Sequence, residues 1–143
     1  FDTWAGLLSV EDYHRIALPA TQRAIEVFRE RAERRVPLIH YAKGSGHLHE
    51  AIRTLDIDAL SLDWRDDLRA NRTSFGDRFA FQGNLDPSRM HGTPEAARTA
   101  AQRVLNEAGD APGHVFNLGH GFAPGAQIDC VEAVLRLITG ESA

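Results

Sequence analysis

The sequence predicts an α/β fold, the C-terminal half of a (β/α)8 TIM barrel in which parallel strands alternate with helices. Short apolar runs of strand length alternate along the chain with longer segments whose apolar residues recur at helical spacing. Polar residues also follow the apolar runs at the same end, at residues 42–44, 62–64, 82–84 and 116–121. Because ligands bind beyond the carboxyl ends of parallel strands, this second pattern predicts where a site lies.

The composition is that of a folded domain with its own core. The chain has 143 residues, of which 43% are hydrophobic and 25% are charged, with a net charge of −4. This charge gives no reason to expect a nucleic acid or an anionic membrane as partner. The single cysteine, Cys130, excludes an internal disulfide and suits a reducing, cytoplasmic compartment. No apolar stretch approaches the ~20 residues that span a bilayer.

The N-terminal region predicts the end of a strand, a loop and a helix. Residues 1–6 are typical of a strand end and its loop, so we expect a piece of a longer chain; the alternative is a removed tag or leader. Ser9 and Asp12 have the spacing of a helix cap and an acid in the first turn. The apolar positions of the following helix are Ile16, Ala17, Ala20, Ala24, Val27 and Phe28.

The middle of the chain predicts three strands, at residues 36–42, 59–62 and 79–81. The first of them does not alternate cleanly between apolar and polar residues, as expected for a strand that is buried on both faces. The short helix after the first of them has the apolar positions Leu48, Ile52 and Leu55. A weaker helix at residues 67–75 precedes the third strand and is ended by Gly76.

The last third predicts two longer helices around a fourth strand. Thr93 and Pro94 are typical of a helix start, and Gly109 is typical of a helix end. The buried stripe predicted between them is Ala97, Ala101, Val104, Leu105 and Ala108. The fourth strand is expected at residues 115–118. The apolar positions of the last helix are Val131, Val134, Leu135 and Ile138.

These elements amount to four strand–helix units plus the tail of one further strand. A complete (β/α)8 barrel needs about 250 residues. We therefore expect residues 1–143 to be one domain portion, with two open sheet edges and an uncovered sheet face. A missing segment or another copy of the chain would complete it.

Two residues at predicted strand ends are the main candidates for ligand contact. His120 lies between two glycines, which allow the backbone to come close to a ligand. Its imidazole could exchange hydrogen bonds with a ligand or, when charged, bind a carboxylate; local backbone could equally satisfy it. The hydroxyl of Thr3 could bind a ligand, although the residues alone favour a cap of the following turn.

Three further polar positions have two interpretations each. Asp2 could act as an acid or base, or it could hold the loop at Trp4. Lys43 lies in a glycine-rich loop that could meet an anionic substrate, although it lacks the spacing of a phosphate-binding loop. Residues 82–87 could contact a ligand or form a buried network at the rim.

A metal site is not expected from the histidines near residue 45. A protein metal site needs three or four converging ligands. His40 lies inside an apolar strand, whereas His47 and His49 are two positions apart and should point to different sides of a helix. Cys130 is expected to pack in the core.

Five motifs resemble the uroporphyrinogen decarboxylase family. They are FDTWAG at residues 1–6, AKG at 42–44, LDW at 62–64, QGNLDP at 82–87 and FNLGHG at 116–121. They occur in the order that the family has and span nearly the whole chain. Each alone would be weak, but five in register are specific.

The resemblance implies a homodimeric barrel enzyme without cofactor or metal. Such enzymes remove CO2 from the four acetate arms of the tetrapyrrole uroporphyrinogen III and yield coproporphyrinogen III, on the way to haem and chlorophyll. Thr3 matches the substrate-contacting Ser/Thr after the fourth strand of the family, and His120 matches its substrate-binding histidine after the eighth. Lys43 would be a long-range contact to substrate carboxylates. The essential aspartate, the tyrosine and the arginine loop of the family have no counterpart here, so this chain alone should be inactive.

Two alternatives remain open. Related barrel methyltransferases act on corrinoid or thiol substrates through zinc, but they need a His-x-Cys pair and another cysteine. Here Ala42 follows His40 at that spacing, and His120 stands where the further cysteine would be needed. The chain could also be a non-catalytic piece. The loops after Gly44 and His120 leave open whether the protein is the housekeeping enzyme or a divergent paralogue.

Overall fold

Four parallel strands form one sheet in the computed structural model, which describes residues 1–110 and 112–141. They lie side by side in chain order and are β1 (Ile39–Tyr41), β2 (Ala59–Ser61), β3 (Ala80–Gln82) and β4 (His114–Val115). The predicted parallel arrangement is therefore confirmed. β1, β2 and β4 are shorter than the runs predicted for them, and β3 has the predicted length but begins one residue later.

Short extensions of the sheet continue the pairing beyond the strands. The backbone N–H of Asp2 donates to the carbonyl of Tyr41 at 2.8 Å, so the N-terminal residues lie along the free edge of β1. Leu85 and Leu118 form a parallel bridge past the ends of β3 and β4. The loops that follow the strands therefore begin close together, at the carboxyl edge of the sheet.

Helices alternate with the strands as predicted. They are α1 (Val10–Asp12), a π-helical turn (Tyr13–Ala17), α2 (Leu18–Arg31), α3 (His49–Ile52), α4 (Leu68–Phe75), α5 (Pro94–Ala108) and α6 (Ile128–Thr139). Side chains of Ser9, Asp67 and Thr93 accept hydrogen bonds from backbone N–H groups in the first turns of α1, α4 and α5. These caps satisfy donors that a helix start leaves unpaired. None of the helices in the described ranges is both long and apolar enough to cross a membrane.

The sheet is curved, with an inner face that carries Tyr41, Ser61 and Gln82 in register. In a flat sheet, β1 and β4 would be separated by three strand spacings, about 14 Å. Nevertheless, the hydroxyl of Tyr41 donates to the carbonyl of Gly119, just beyond β4, at 2.9 Å. A tyrosine side chain can bridge that gap only because the sheet curls around it. The fold is therefore a sector of a barrel.

The core lies between the outer face of the sheet and the helices. Leu60 and Phe81 project from β2 and β3 into it, and Phe81 meets the ring of Phe75 from α4 with 6.3 Å between centroids. The predicted stripe of α5 is buried at Ala97, Ala101, Val104 and Ala108, while Leu105 is partly buried.

Two predicted apolar faces are less buried than expected. On the first long helix, the side chains of Ile16 and Phe28 are 56% and 42% exposed, and Tyr13 and Leu18 are buried instead. This helix extends past the free edge of β1, so part of its apolar face lines an open cavity rather than packed core. On α6, Leu135 is 53% exposed, while Cys130 and Val134 are buried.

Candidate functional site

Three rings meet at the carboxyl edge of the sheet: Tyr41, Trp64 and His120, here called the ring cluster. The imidazole of His120 stacks on Tyr41, with centroids 5.9 Å apart and planes 19° apart. Trp64 lies on the other side of the cluster, 6.1 Å from the same imidazole. His120 itself is partly buried. The predicted candidate His120 is thus held by two rings from two other strand ends.

The hydroxyl of Tyr41 connects the ring cluster to the backbone of Gly119 through a hydrogen bond. The phenol oxygen of Tyr41 lies 2.9 Å from the carbonyl oxygen of Gly119 and 3.0 Å from Nδ1 of His120. Burial raises the pKa of Tyr41 to about 12, so the phenol keeps its proton at neutral pH.

Close packing at Gly119 keeps Trp64 in this position. A Cβ built on Gly119 would overlap the backbone nitrogen of Trp64 and would lie 2.7 Å from its Cα. The glycine before His120 is therefore needed for a backbone-to-backbone contact between the loops after β2 and β4. The sequence predicted close approach at this glycine, and its neighbour here is protein backbone.

Two cations lie over the ring of Trp64. The guanidinium carbon of Arg65 is 4.6 Å from the ring centroid, and Nζ of Lys43 is 5.7 Å from it. Both distances are within the range of cation–π attraction. Lys43 forms no ion pair within the part of the chain that the structure describes. Lys43 therefore presents an unpaired positive charge beside the ring cluster.

The buried side chain of Asp63 holds together the loops at the carboxyl edge of the sheet. Its carboxylate is completely buried and accepts hydrogen bonds from the backbone N–H groups of Gly44 and Arg65, both at 3.0 Å. The side chain of Arg65 adds two more at 2.7 and 2.8 Å. Burial alone would raise the pKa of Asp63, but these hydrogen bonds and the charge of Arg65 outweigh burial and lower it. Asp63 is therefore an ionised structural anchor.

Within the predicted polar segment at residues 82–87, Asn84 forms buried hydrogen bonds with the loop after β2. The amide nitrogen of Asn84 donates to the carbonyls of Asp63 and Asp66, at 2.9 and 2.7 Å. The carboxylate of Asp86 accepts from the backbone N–H of Ser88 at 2.8 Å and starts the next helical turn. Of the two interpretations of this segment, the buried rim network is thus observed for Asn84, whereas Asp86 is a partly exposed cap.

Thr3 lies at the same edge of the sheet as the ring cluster, because the preceding residue, Asp2, forms a backbone hydrogen bond with Tyr41. The neighbouring ring of Phe1 contacts Tyr41, with 5.9 Å between centroids. Thr3 is partly buried, and among the described residues its hydroxyl forms no hydrogen bond, so the cap of a turn is not observed. Asp2 instead lines the cavity beside α2, together with His40.

The three histidines near residue 45 do not converge with His120. His40 points to α2, and burial lowers its pKa to about 4. His47 is exposed and donates from Nε2 to the carbonyl of Leu8 at 2.9 Å. His49 is buried, with Nδ1 2.8 Å from the side-chain oxygen of Asn71. Residues 1–110 and 112–141 contain no group of three or more His, Cys, Asp or Glu side chains arranged to hold a metal ion.

Sequence reasoning missed Tyr41 and Arg65. Tyr41 was included in an apolar strand, although its place as the last strand residue before Lys43 put it at the predicted site edge. Arg65 follows Trp64 and has the appearance of an ordinary surface arginine. The structure adds both of them to the site.

Comparison with known proteins gives consistent matches. The family model described as "Uroporphyrinogen decarboxylase (URO-D)" matches residues 1–140. Proteins named uroporphyrinogen decarboxylase from Coxiella burnetii (strain RSA 493 / Nine Mile phase I) and Aromatoleum aromaticum are 42% and 44% identical over 139 residues. One from Alcanivorax borkumensis is 40% identical over 144 residues. The matches cover 96% of this chain, which spans 38–40% of the length of these relatives.

Proposed function

The chain belongs to the uroporphyrinogen decarboxylase family, and from that premise we propose that it forms part of an enzyme that decarboxylates uroporphyrinogen III. The reaction removes CO2 from the four acetate arms and yields coproporphyrinogen III, in the pathway to haem and chlorophyll. One observation carries the assignment of a site to this chain. The ring cluster and two cations meet at the carboxyl edge of a curved parallel sheet, where barrel enzymes bind substrate.

The chemistry requires a group that stabilises positive charge on the substrate. Loss of CO2 from an acetate arm leaves a carbanion unless the pyrrole is first protonated and can accept the electron pair. A fixed carboxylate beside the protonated ring stabilises that cation through electrostatic preorganisation. Asp63 does not fit this role, because it is fully buried and its oxygens already accept four hydrogen bonds. The resemblance to the family implies that the charge-stabilising aspartate lies in a part of the barrel that this sequence does not include.

The contribution of this chain is to bind and orient the substrate. His120 contacts the substrate through the edge of its imidazole that is not held by Tyr41. Thr3, which lies beside β1 at the same edge of the sheet, has a hydroxyl that forms no hydrogen bond among the described residues. This hydroxyl is free to bind the substrate. Lys43 attracts the carboxylates of the substrate over a longer distance, since no acid of the described chain neutralises it.

We also propose that the chain is the C-terminal portion of a single barrel domain. The curvature of the sheet supports this, as does the fraction of the relatives that the chain spans. The resemblance to the family further supports a homodimer in the cytoplasm. Sedimentation of the natural gene product that contains this sequence tests the homodimer, and fractionation of the cells tests the compartment.

The test of the proposed activity is an anaerobic assay of the natural gene product. Uroporphyrinogen III is the substrate, and the products are oxidised to porphyrins and separated by their number of carboxylates. We expect conversion to the four-carboxylate product. The variant His120→Asn should raise KM about 10- to 150-fold, the effect of losing a hydrogen bond to a charged group. His91→Asn removes an exposed histidine and is the matched control.

Two results would contradict this proposal. The first is a natural gene product that leaves every acetate arm intact. The second is a His120→Asn variant whose KM and kcat equal those of the His91→Asn control. In addition, we expect the 143-residue chain alone to be inactive, and decarboxylation by it would mean that the charge-stabilising group lies within this sequence.

A further inference from the structure

The hydroxyl of Tyr41 has two neighbours and one proton. Its oxygen lies 2.9 Å from the carbonyl oxygen of Gly119 and 3.0 Å from Nδ1 of His120. The tyrosine is 5% exposed, so water does not compete for these contacts. The direction of each hydrogen bond therefore follows from counting protons at three atoms.

Only one arrangement satisfies both contacts. A carbonyl oxygen can only accept, so the proton of Tyr41 has to go to Gly119. The phenol oxygen then has lone pairs left, and Nδ1 of His120 has to donate to it. In the opposite arrangement the phenol would donate to Nδ1, and two oxygens would face each other at 2.9 Å without a proton between them. The first arrangement also forms a continuous chain of donors and acceptors.

We propose that Tyr41 is a positioning residue that holds His120 as the Nδ1–H tautomer and leaves Nε2 for the ligand. The proposal rests on the proposed function of His120 as a substrate contact. Nε2 has no hydrogen-bond partner within the described chain. It is therefore the nitrogen through which His120 meets a substrate.

This arrangement separates the fixed nitrogen of His120 from the reactive one. In the neutral imidazole, Nε2 carries a lone pair and accepts a hydrogen bond from a substrate N–H. In the protonated imidazole, Nε2 donates to a substrate carboxylate, while Nδ1 still donates to Tyr41. The contact with Tyr41 is thus the same in both charge states, and only Nε2 gains or loses a proton.

The surrounding groups keep the ring in this orientation. Tyr41 and Trp64 both lie against the imidazole, with centroids 5.9 and 6.1 Å away. A flip of the ring would place a carbon atom against the phenol oxygen and would lose the hydrogen bond. The second ring, Trp64, limits the space for any other rotation.

Nitrogen NMR of the natural gene product, labelled with ¹⁵N-histidine, tests the tautomer directly. In the neutral imidazole of His120, Nδ1 should resonate as a pyrrole-type nitrogen and Nε2 as a pyridine-type nitrogen. The His120→Asn variant assigns the signals. In Tyr41→Phe, which keeps the ring and removes the hydroxyl, the signals should shift toward the Nε2–H tautomer. KM should rise about 2- to 10-fold, the effect of one lost hydrogen bond, with a smaller change in kcat.

Tyr13→Phe is the matched control. Tyr13 is also fully buried, but its hydroxyl has no hydrogen-bond partner in the described structure. Its removal should leave the signals of His120 and KM unchanged. If Tyr41→Phe does not fold, the nitrogen spectrum of the unaltered protein is sufficient to test which tautomer His120 adopts.

The outcomes separate this inference from the proposed function. An Nε2–H tautomer in the unaltered protein, or His120 signals unchanged in folded Tyr41→Phe, would overturn the role of Tyr41. If the tautomer is as expected and the protein does not decarboxylate uroporphyrinogen, the proposed function fails and the positioning of the imidazole stands.

Discussion

The fully buried carboxylate of Asp63 is held by two parallel hydrogen bonds from the guanidinium of Arg65. Nε of Arg65 lies 2.7 Å from one carboxylate oxygen, and Nη2 lies 2.8 Å from the other. The carboxylate also accepts from the backbone of Gly44, so it joins the loops after β1 and β2. Because the same guanidinium lies over Trp64, this ion pair supports the ring beside His120.

Replacement of Arg65 by Met should destabilise the fold. The variant leaves a buried carboxylate with backbone donors only, and the loss should be about 1–3 kcal/mol of unfolding free energy. The lower part of this range is favoured because the side chain of Arg65 is 56% exposed. Urea unfolding measures the effect. Arg98→Met, at an exposed position of α5, should change stability by less than about 0.5 kcal/mol. Equal midpoints for the two variants would contradict the anchoring role.

Replacement of Gly119 by Ala should displace Trp64. The added Cβ would overlap backbone atoms of Trp64, and no change of rotamer can relieve that overlap. We expect a loss of about 1–3 kcal/mol, as for overpacked sites, together with altered tryptophan fluorescence. Gly121→Ala is the control, because a Cβ there would meet no atom within 4 Å. Similar stability and fluorescence in both variants would mean that the contact with Trp64 is not tight.

The fold was largely predictable because its signals are local. Ser9, Asp67 and Thr93 each cap a helix through atoms a few residues away, so a short stretch of sequence suffices to find the helix start. The exposed parts of the predicted apolar faces were not predictable in this way. Ile16 and Phe28 have helical spacing, but burial depends on what packs against the helix.

The candidate site was predictable in position and less so in detail. His120, Lys43 and Trp64 follow strands, and parallel strands bring such residues to one edge regardless of their partners. The contact of Tyr41 with His120 depends on the curvature of the sheet, which no local pattern encodes. The role of Arg65 depends on a buried acid only two residues away, and its sequence context resembles any exposed arginine.

Replacement of Lys43 by Gln should weaken the binding of an anionic substrate. Lys43 is the only lysine of the chain, and it lies 5.7 Å from the ring of Trp64 without an ion pair in the described structure. Under the proposed function, KM should rise about 3- to 10-fold at low salt, and the difference should shrink as salt screens the charge. Arg98→Gln, which removes an equal charge on α5, should have no such effect. A KM difference independent of salt would mean that Lys43 acts through packing.

His40 should make stability fall on acidification. Burial lowers its pKa from 6.5 to about 4. Above about pH 7.5 the histidine is neutral in both the folded and the unfolded protein, so the free energy of unfolding does not depend on its titration. Between about pH 6.5 and 4, the unfolded chain binds a proton that the folded chain does not, so the free energy of unfolding decreases as pH falls. From about pH 7.5 to 4.5 this decrease should be about 2–3 kcal/mol.

The variant His40→Leu isolates this contribution, because leucine fills the same buried position without a titrating group. Urea unfolding at about pH 7.5 and 4.5 should show a smaller loss in His40→Leu than in the unaltered protein, by about 2–3 kcal/mol. The carboxylates titrate equally in both proteins and cancel from the difference. His14→Leu removes an exposed histidine and should keep the full loss. If His40→Leu loses as much stability as His14→Leu, then His40 is solvated in the native protein and its cavity beside α2 is open to water.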